Sequence, residues 1–88
     1  MNKISFSPEA WEDYIYWQTQ DRKTFKRINS LIKDIMRNGT SNSGIGKTEP
    51  LKHDLSGFWS KRIDSKNRIV FRVQSEEIEI IQCGDHYK

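Results

Sequence analysis

GFWSKRIDSKNRIVFRVQSEEIEIIQC, residues 57–83, carries the pattern that decides the fold. Three apolar-rich runs, residues 57–63, 68–74 and 78–83, are separated by the polar turns Asp64-Ser65-Lys66-Asn67 and Ser75-Glu76-Glu77. Short β-branched and aromatic runs bounded by such clusters read as strands, and their close spacing makes an antiparallel meander. Side chains alternate along the middle run, so Ile69, Phe71 and Val73 share one face and Arg68, Val70 and Arg72 the other. The first face is expected to meet helices, which leaves the second open and basic.

Those helices are read upstream. Residues 2–6 alternate as a short edge strand and stop at Ser7-Pro8-Glu9. Ser7 is a good N-cap, Pro8 fits the first helical position, and Glu9 suits the positive end of the helix dipole. Trp11, Tyr14 and Ile15 at i, i+3 and i+4, followed by Trp17, mark one apolar stripe running to about Thr19. Asp21 then caps a second helix. Its Phe25, Ile28, Leu31, Ile32, Ile35 and Met36 repeat with the helical period, and Gly39 closes it. Helices linked this closely are expected to pack as an antiparallel hairpin. Between hairpin and sheet, GTSNSGIGKTEP (residues 39–50) reads as a surface loop. Its Gly44-x-Gly46-Lys47-Thr48 resembles a P-loop only superficially, because the first glycine is missing and no strand feeds it. The expected architecture is α+β in a single domain, residues 1–88: a short N-terminal strand, a two-helix hairpin, and an antiparallel sheet packed on the helices.

Length and composition narrow the class. Eighty-eight residues suit one domain, and ten aromatics are too many for a disordered tail. A single cysteine, Cys83, excludes an internal disulfide framework and fits a reducing cytosol. No apolar run approaches the ~20 residues that span a bilayer, and Met1-Asn2-Lys3-Ile4-Ser5 lacks a signal-peptide core. A small soluble cytoplasmic protein is expected. The net charge of +3 hides a polar arrangement: residues 1–21 sum to −3, residues 22–72 to +9, and residues 73–88 to −3. A basic middle containing Phe58, Trp59 and Phe71 suits phosphate backbones, because Lys and Arg neutralise phosphates and release counterions.

A basic sheet face either binds a polyanion or cuts it. Cutting RNA needs no metal, since the 2′-hydroxyl is a built-in nucleophile. It needs a base for that proton, an acid for the departing 5′-oxygen, and cations where negative charge builds on phosphorus. Glu49, flanked by Lys47 and Lys52, is the notable acid within the basic segment; Arg68 opens the middle strand on the open face; His86 follows the last strand. Each also has an ordinary reading: a loop carboxylate paired with lysine, a solvated edge charge, and a frayed tail. Cys83-x-x-His86 has ligand-like spacing, but a structural zinc site needs about four ligands and only His53 remains. Cys83 ends an apolar strand and reads as core.

Beyond these patterns, Trp11-Glu12-Asp13-Tyr14, Tyr16-Trp17, the stretch EPLKHDLSGFWSKRI from Glu49 to Ile63, and the terminal His86-Tyr87 closely resemble the YoeB family of bacterial toxins, within the RelE/ParE toxin–antitoxin superfamily. The resemblance covers essentially the whole chain. It implies a microbial-RNase-like fold and an endoribonuclease that cuts mRNA in the A site of the 70S ribosome without metal or other cofactor. It further implies homodimers and a YefM-like antitoxin as partners. By the same resemblance Glu49 falls on the general base, His86 on the general acid, Arg68 on the transition-state arginine and Tyr87 on the tyrosine beside the histidine, while Lys52 and Arg62 match cations lining the site. His53 is given a structural role. The alternatives are a same-fold toxin without ribonuclease activity, such as the gyrase-poisoning ParE branch, and a plain nucleic-acid-binding module. This chain departs from the pattern in continuing past the His-Tyr pair to Lys88. Asp85 beside His86 is expected to raise the imidazole pKa where the two approach, helping to set a neutral-pH optimum.

Overall fold

Ser7 ends the first strand, β1 (Lys3–Phe6), and starts α1 (Pro8–Gln20), its hydroxyl accepting the Ala10 N–H at 3.1 Å. Asp21 closes α1 and caps α2 (Arg22–Asn38), its carboxylate accepting from the N–H groups of Lys23 and Thr24 at 3.1 and 3.2 Å. With only that residue between them the helices meet at once. Tyr14 lies 4.9 Å from Phe25, ring to ring, and donates its hydroxyl to Asn29 at 2.7 Å. Gly39 ends α2 at a φ of 61°, a conformation glycine adopts without steric cost. The structure, a computed structural model, describes residues 3–41 and 44–84.

The chain then supplies β2 (Thr48–Pro50), a short 3-10 turn at His53–Leu55, β3 (Trp59–Arg62), β4 (Arg68–Gln74) and β5 (Glu77–Gly84). The sheet order is β1-β5-β4-β3-β2. From β2 to β5 every neighbour is antiparallel, as expected, but β1 lies parallel to β5, from Lys3 opposite Glu77 to Phe6 opposite Ile80. The sheet is therefore mixed. Tight turns dictate antiparallel pairing among the later strands, whereas β1 reaches its place through a crossover containing both helices, which permits a parallel neighbour.

Burial follows the periods. In α2, Ile28, Leu31, Ile32 and Ile35 turn inward at i, i+3, i+4 and i+7, each contributing about 1.5–3 kcal/mol when fully buried. They meet Ile69 and Phe71 of β4 and Ile78, Ile80 and Cys83 of β5, with Val73 packed alongside. The helix-facing set predicted for the middle strand is thus the observed one. Ile81 has no partner on β4, since Val70 pairs with Gln82 and Phe71 with Ile80. That bulge resets the alternation, so Ile80 and Cys83, three residues apart, both enter the core. Burial also lifts the Cys83 thiol to about 12, with the Asp13 charge adding to it, and so keeps it protonated and inert.

On α1 the apolar stripe sits elsewhere than the pattern implied. Trp11 and Ile15 are exposed, together with Tyr16, while Ala10, Asp13, Tyr14 and Trp17 face inward. Hydrophobic spacing misled here because one inward position is the carboxylate Asp13, which binds backbone instead of packing against side chains.

Lys61 is the second surprise. It is wholly buried on the helix side of β3, with Nζ 2.9 Å from Asp34 Oδ2 of α2 and 2.7 Å from the Ile45 carbonyl. Asn38 donates to the other Asp34 oxygen at 2.8 Å. The pair pins the segment entering β2, and Gly44 packs so tightly on Asp34 that a Cβ there would stand 1.6 Å from Oδ1. The loop's glycine thus reflects close approach to a buried ion pair.

These contacts predict acid sensitivity. Burial by itself would raise the Asp34 carboxyl, but hydrogen bonds from Lys61 and Asn38, with the Lys61 charge and the Ile45 N–H, hold it below its ordinary value. Asp64 is lowered in the same way: burial opposes, and Asn67 with the N–H groups of Lys66 and Asn67 prevails. A carboxyl lowered in the folded state stabilises fully above its unfolded value, near pH 4, and loses that contribution as pH falls through the folded one. The thermal midpoint is expected to drop as pH is taken below about 4. Asp64→Asn, which keeps an acceptor but does not titrate, should make that drop shallower; an identical acid limb would contradict the linkage.

Candidate active site on the open face of the sheet

Glu49 lies in β2 opposite Ser60 of β3, which faces Val70 of β4. The end of the stretch that reads as a surface loop, Thr48–Pro50, is thus a strand, too short for its sequence to show alternation. Its register sets Glu49 on the face away from the helices, since the neighbouring row, Thr48, Lys61, Ile69 and Cys83, is the buried helix-side row. Arg68 comes from the same open face two strands away. Ser60 on the strand between them is small and only 2% exposed, and Arg68 Nη1 stands 3.7 Å from Glu49 Oε1. Lys47 Nζ stands 4.0 Å from the other carboxylate oxygen. Glu49 remains 42% exposed and Arg68 28%, leaving both accessible to a substrate.

Arg62 pairs directly with Arg68 across β3 and β4. Two like charges opposite one another on a sheet are unfavourable, and an anion between them would relieve the repulsion. Lys52 is exposed in the β2–β3 connection, three residues after Glu49. On the far side of Arg68 its partner is Gly84, the last described residue of β5. His86 and Tyr87, like Asp85 and Lys88, lie outside the described residues.

The basic cluster is smaller than the sequence implies. Lys61 points into the core. Arg72 donates both Nε, at 3.1 Å, and Nη2 to Glu79 Oε1, and its guanidinium lies 4.9 Å from the centre of the Phe58 ring. A cation so occupied on two sides has little left for phosphate. Among the described residues, Lys47 and Arg68 stand beside Glu49, Arg62 lies opposite Arg68, and Lys52 is exposed in the connection that follows. His53 is exposed at a φ of 60°, and its carbonyl accepts the Ser56 N–H at 3.0 Å within the turn before β3. An open cavity of about 550 Å³, lined by Lys3, Gln74, Ser75, Glu76 and Glu77, lies at the opposite end of β4 from Arg68. Among the described residues no three His, Cys, Asp or Glu gather as a metal site, and no helix is long and apolar enough to cross a membrane.

Helices on one face of a five-stranded sheet, with a carboxylate–arginine pair on the other, define a small α+β protein of the RelE-like kind. The family described as YoeB-like toxin of bacterial type II toxin–antitoxin system matches residues 6–87, and the chain belongs to it. Toxin YoeB of Escherichia coli K12 is 49% identical over 85 residues, 97% of this chain and 99% of that protein. The YoeB–YefM complex from Staphylococcus aureus superimposes with a TM-score of 0.88 at 48% identity, covering 96% of this chain and 95% of that one. A YoeB dimer from Staphylococcus aureus gives 0.86 at 48% identity, with 97% of each chain covered.

Proposed function

We propose that this toxin is a ribosome-dependent endoribonuclease that cuts mRNA in the A site, with the open face as its active site. The observation that carries the reading is the Glu49 carboxylate held 3.7 Å from the Arg68 guanidinium, beside the end of β5. Glu49 takes the proton from the 2′-hydroxyl, whose oxygen attacks the adjacent phosphorus. Arg68 faces the negative charge that builds on the phosphoryl oxygens, where a fixed cation stabilises the transition state more than the ground state. His86 protonates the departing 5′-oxygen. In the sequence it follows Gly84, the β5 residue paired with Arg68, by two positions. Tyr87 stacks on or orients the substrate base, as aromatic rings do with unpaired RNA. Lys52 and Arg62 hold the flanking phosphates.

Primer extension on a messenger held in stalled ribosomes tests this reading. Native protein should give cuts confined to the A-site codon, and none on the same messenger without ribosomes. Blocked translation with an intact messenger would refute the nuclease. The same face is the expected seat of a YefM-like antitoxin, through an acidic segment that folds on it. The Staphylococcus aureus complex supports such a partner, and the dimer from that organism supports self-association. Antitoxin affinity should fall steeply between 50 mM and 500 mM salt; salt-insensitive binding would count against a charge-led interface.

A further inference from the structure

Strand β5 outruns its outer neighbour. β1 pairs with it only from Glu77 to Ile80, after which the chain turns away into α1. An outer edge left bare from Ile81 to Gly84 would expose backbone groups with no ladder partner. Side chains of α1 and its cap fill the gap. The Ser7 N–H donates to the Ile80 carbonyl at 2.8 Å and the Ser7 hydroxyl to the Ile81 carbonyl at 3.1 Å. About two and three turns further on, Asp13 Oδ2 accepts the Cys83 N–H at 3.0 Å, and Trp17 Nε1 donates to the Cys83 carbonyl at 2.8 Å. Residues 13 and 17 are one helical turn apart and so stand above one another on the same face. Both backbone groups of one fully buried residue are thus held by a helix, in the way a neighbouring strand would hold them.

Cys83 sits opposite Ile69, and Gly84, its successor, opposite Arg68. We propose that Asp13 and Trp17 are positioning residues that fix the end of β5, and hence the starting point of the His86-Tyr87 segment, relative to Arg68 and Glu49. The inference rests on the nuclease reading for its consequence, though not for its geometry. Ladder bonds to β4 alone would leave the outer side of the strand end free to shift, and displacements near 1 Å are enough to cost about 100-fold in a well-oriented reaction.

Trp17→Phe keeps the ring and removes the donor; Asp13→Ala removes the acceptor, and Asp13→Asn restores one. Single-turnover cleavage on stalled ribosomes should fall about 10- to 100-fold in kcat for Trp17→Phe and Asp13→Ala, with KM for the ribosome complex unchanged. Asp13→Asn should recover most of the loss. In the same variants, amide hydrogen exchange should quicken at Cys83 and Gly84 while Ile78 and Ile80 keep native protection. Native rates in both loss variants, or exchange that quickens evenly along β5, would overturn the proposal. If the native protein itself cuts nothing, the nuclease reading fails, and the exchange pattern alone decides whether the strand end is held as proposed.

Discussion

Lys61→Met is expected to destabilise the protein strongly, because it removes one charge of an ion pair buried between the sheet and α2. The methionine fits the hydrocarbon part of the lysine but leaves Asp34, only 9% exposed, as a charge without its cation. Breaking a buried pair from one side costs about 3–5 kcal/mol, and in a domain of this size that lowers the thermal midpoint by about 12 °C or more. The double variant Asp34→Leu/Lys61→Met removes both charges and should recover a large part of the loss, since replacing a whole buried pair by apolar groups is often neutral. Recovery should stay incomplete, because the Ile45 carbonyl would still lack the donor it has at 2.7 Å. Thermal melts of the two variants and the native chain check this. A single variant melting within 2–3 °C of native would mean that the pair does not anchor the segment feeding β2.

His86→Ala and Glu49→Gln are expected to have the largest effects on activity. General acid–base groups contribute about 100- to 10,000-fold each, and both variants should lose cleavage in that range on stalled ribosomes. Glu49 is 42% exposed and its nearest cations are 3.7 and 4.0 Å away, so Glu49→Gln should melt close to the native temperature. Loss of cutting with retained folding separates a chemical role from a structural one. Cleavage persisting at native rate in Glu49→Gln would move the base elsewhere on the face.

Much of this arrangement is legible in the residues themselves. Caps at Ser7 and Asp21 and the period-two run at residues 68–74 each obey a single local rule, and the structure has them as read. Ile28, Leu31, Ile32 and Ile35 of the α2 stripe face inward, but Met36, which the same period includes, is exposed, and the bulge at Ile81 breaks the alternation of the last run. Three features follow from contacts that local pattern does not encode. The parallel placement of β1 is decided by a crossover. β2 exists because β3 offers it an edge, and its three residues carry no period of their own. Lys61 and Asp13 look like surface charges but turn inward, because each meets a partner distant in sequence: Asp34 across the core and the Cys83 N–H 70 residues away. At the site, Glu49 and Arg68 are singled out by chemistry and brought together by register. Arg72, equally basic in sequence, is taken out of use by Glu79 and Phe58.

The most direct test of the chemistry is a messenger carrying one 2′-deoxynucleotide immediately 5′ of the scissile phosphate, held in the ribosomal A site and exposed to the native protein. Attack by the 2′-hydroxyl, with Glu49 receiving its proton, predicts no cut at that position while the all-ribose messenger is cut in the same codon. Equal cleavage of the two messengers would contradict it.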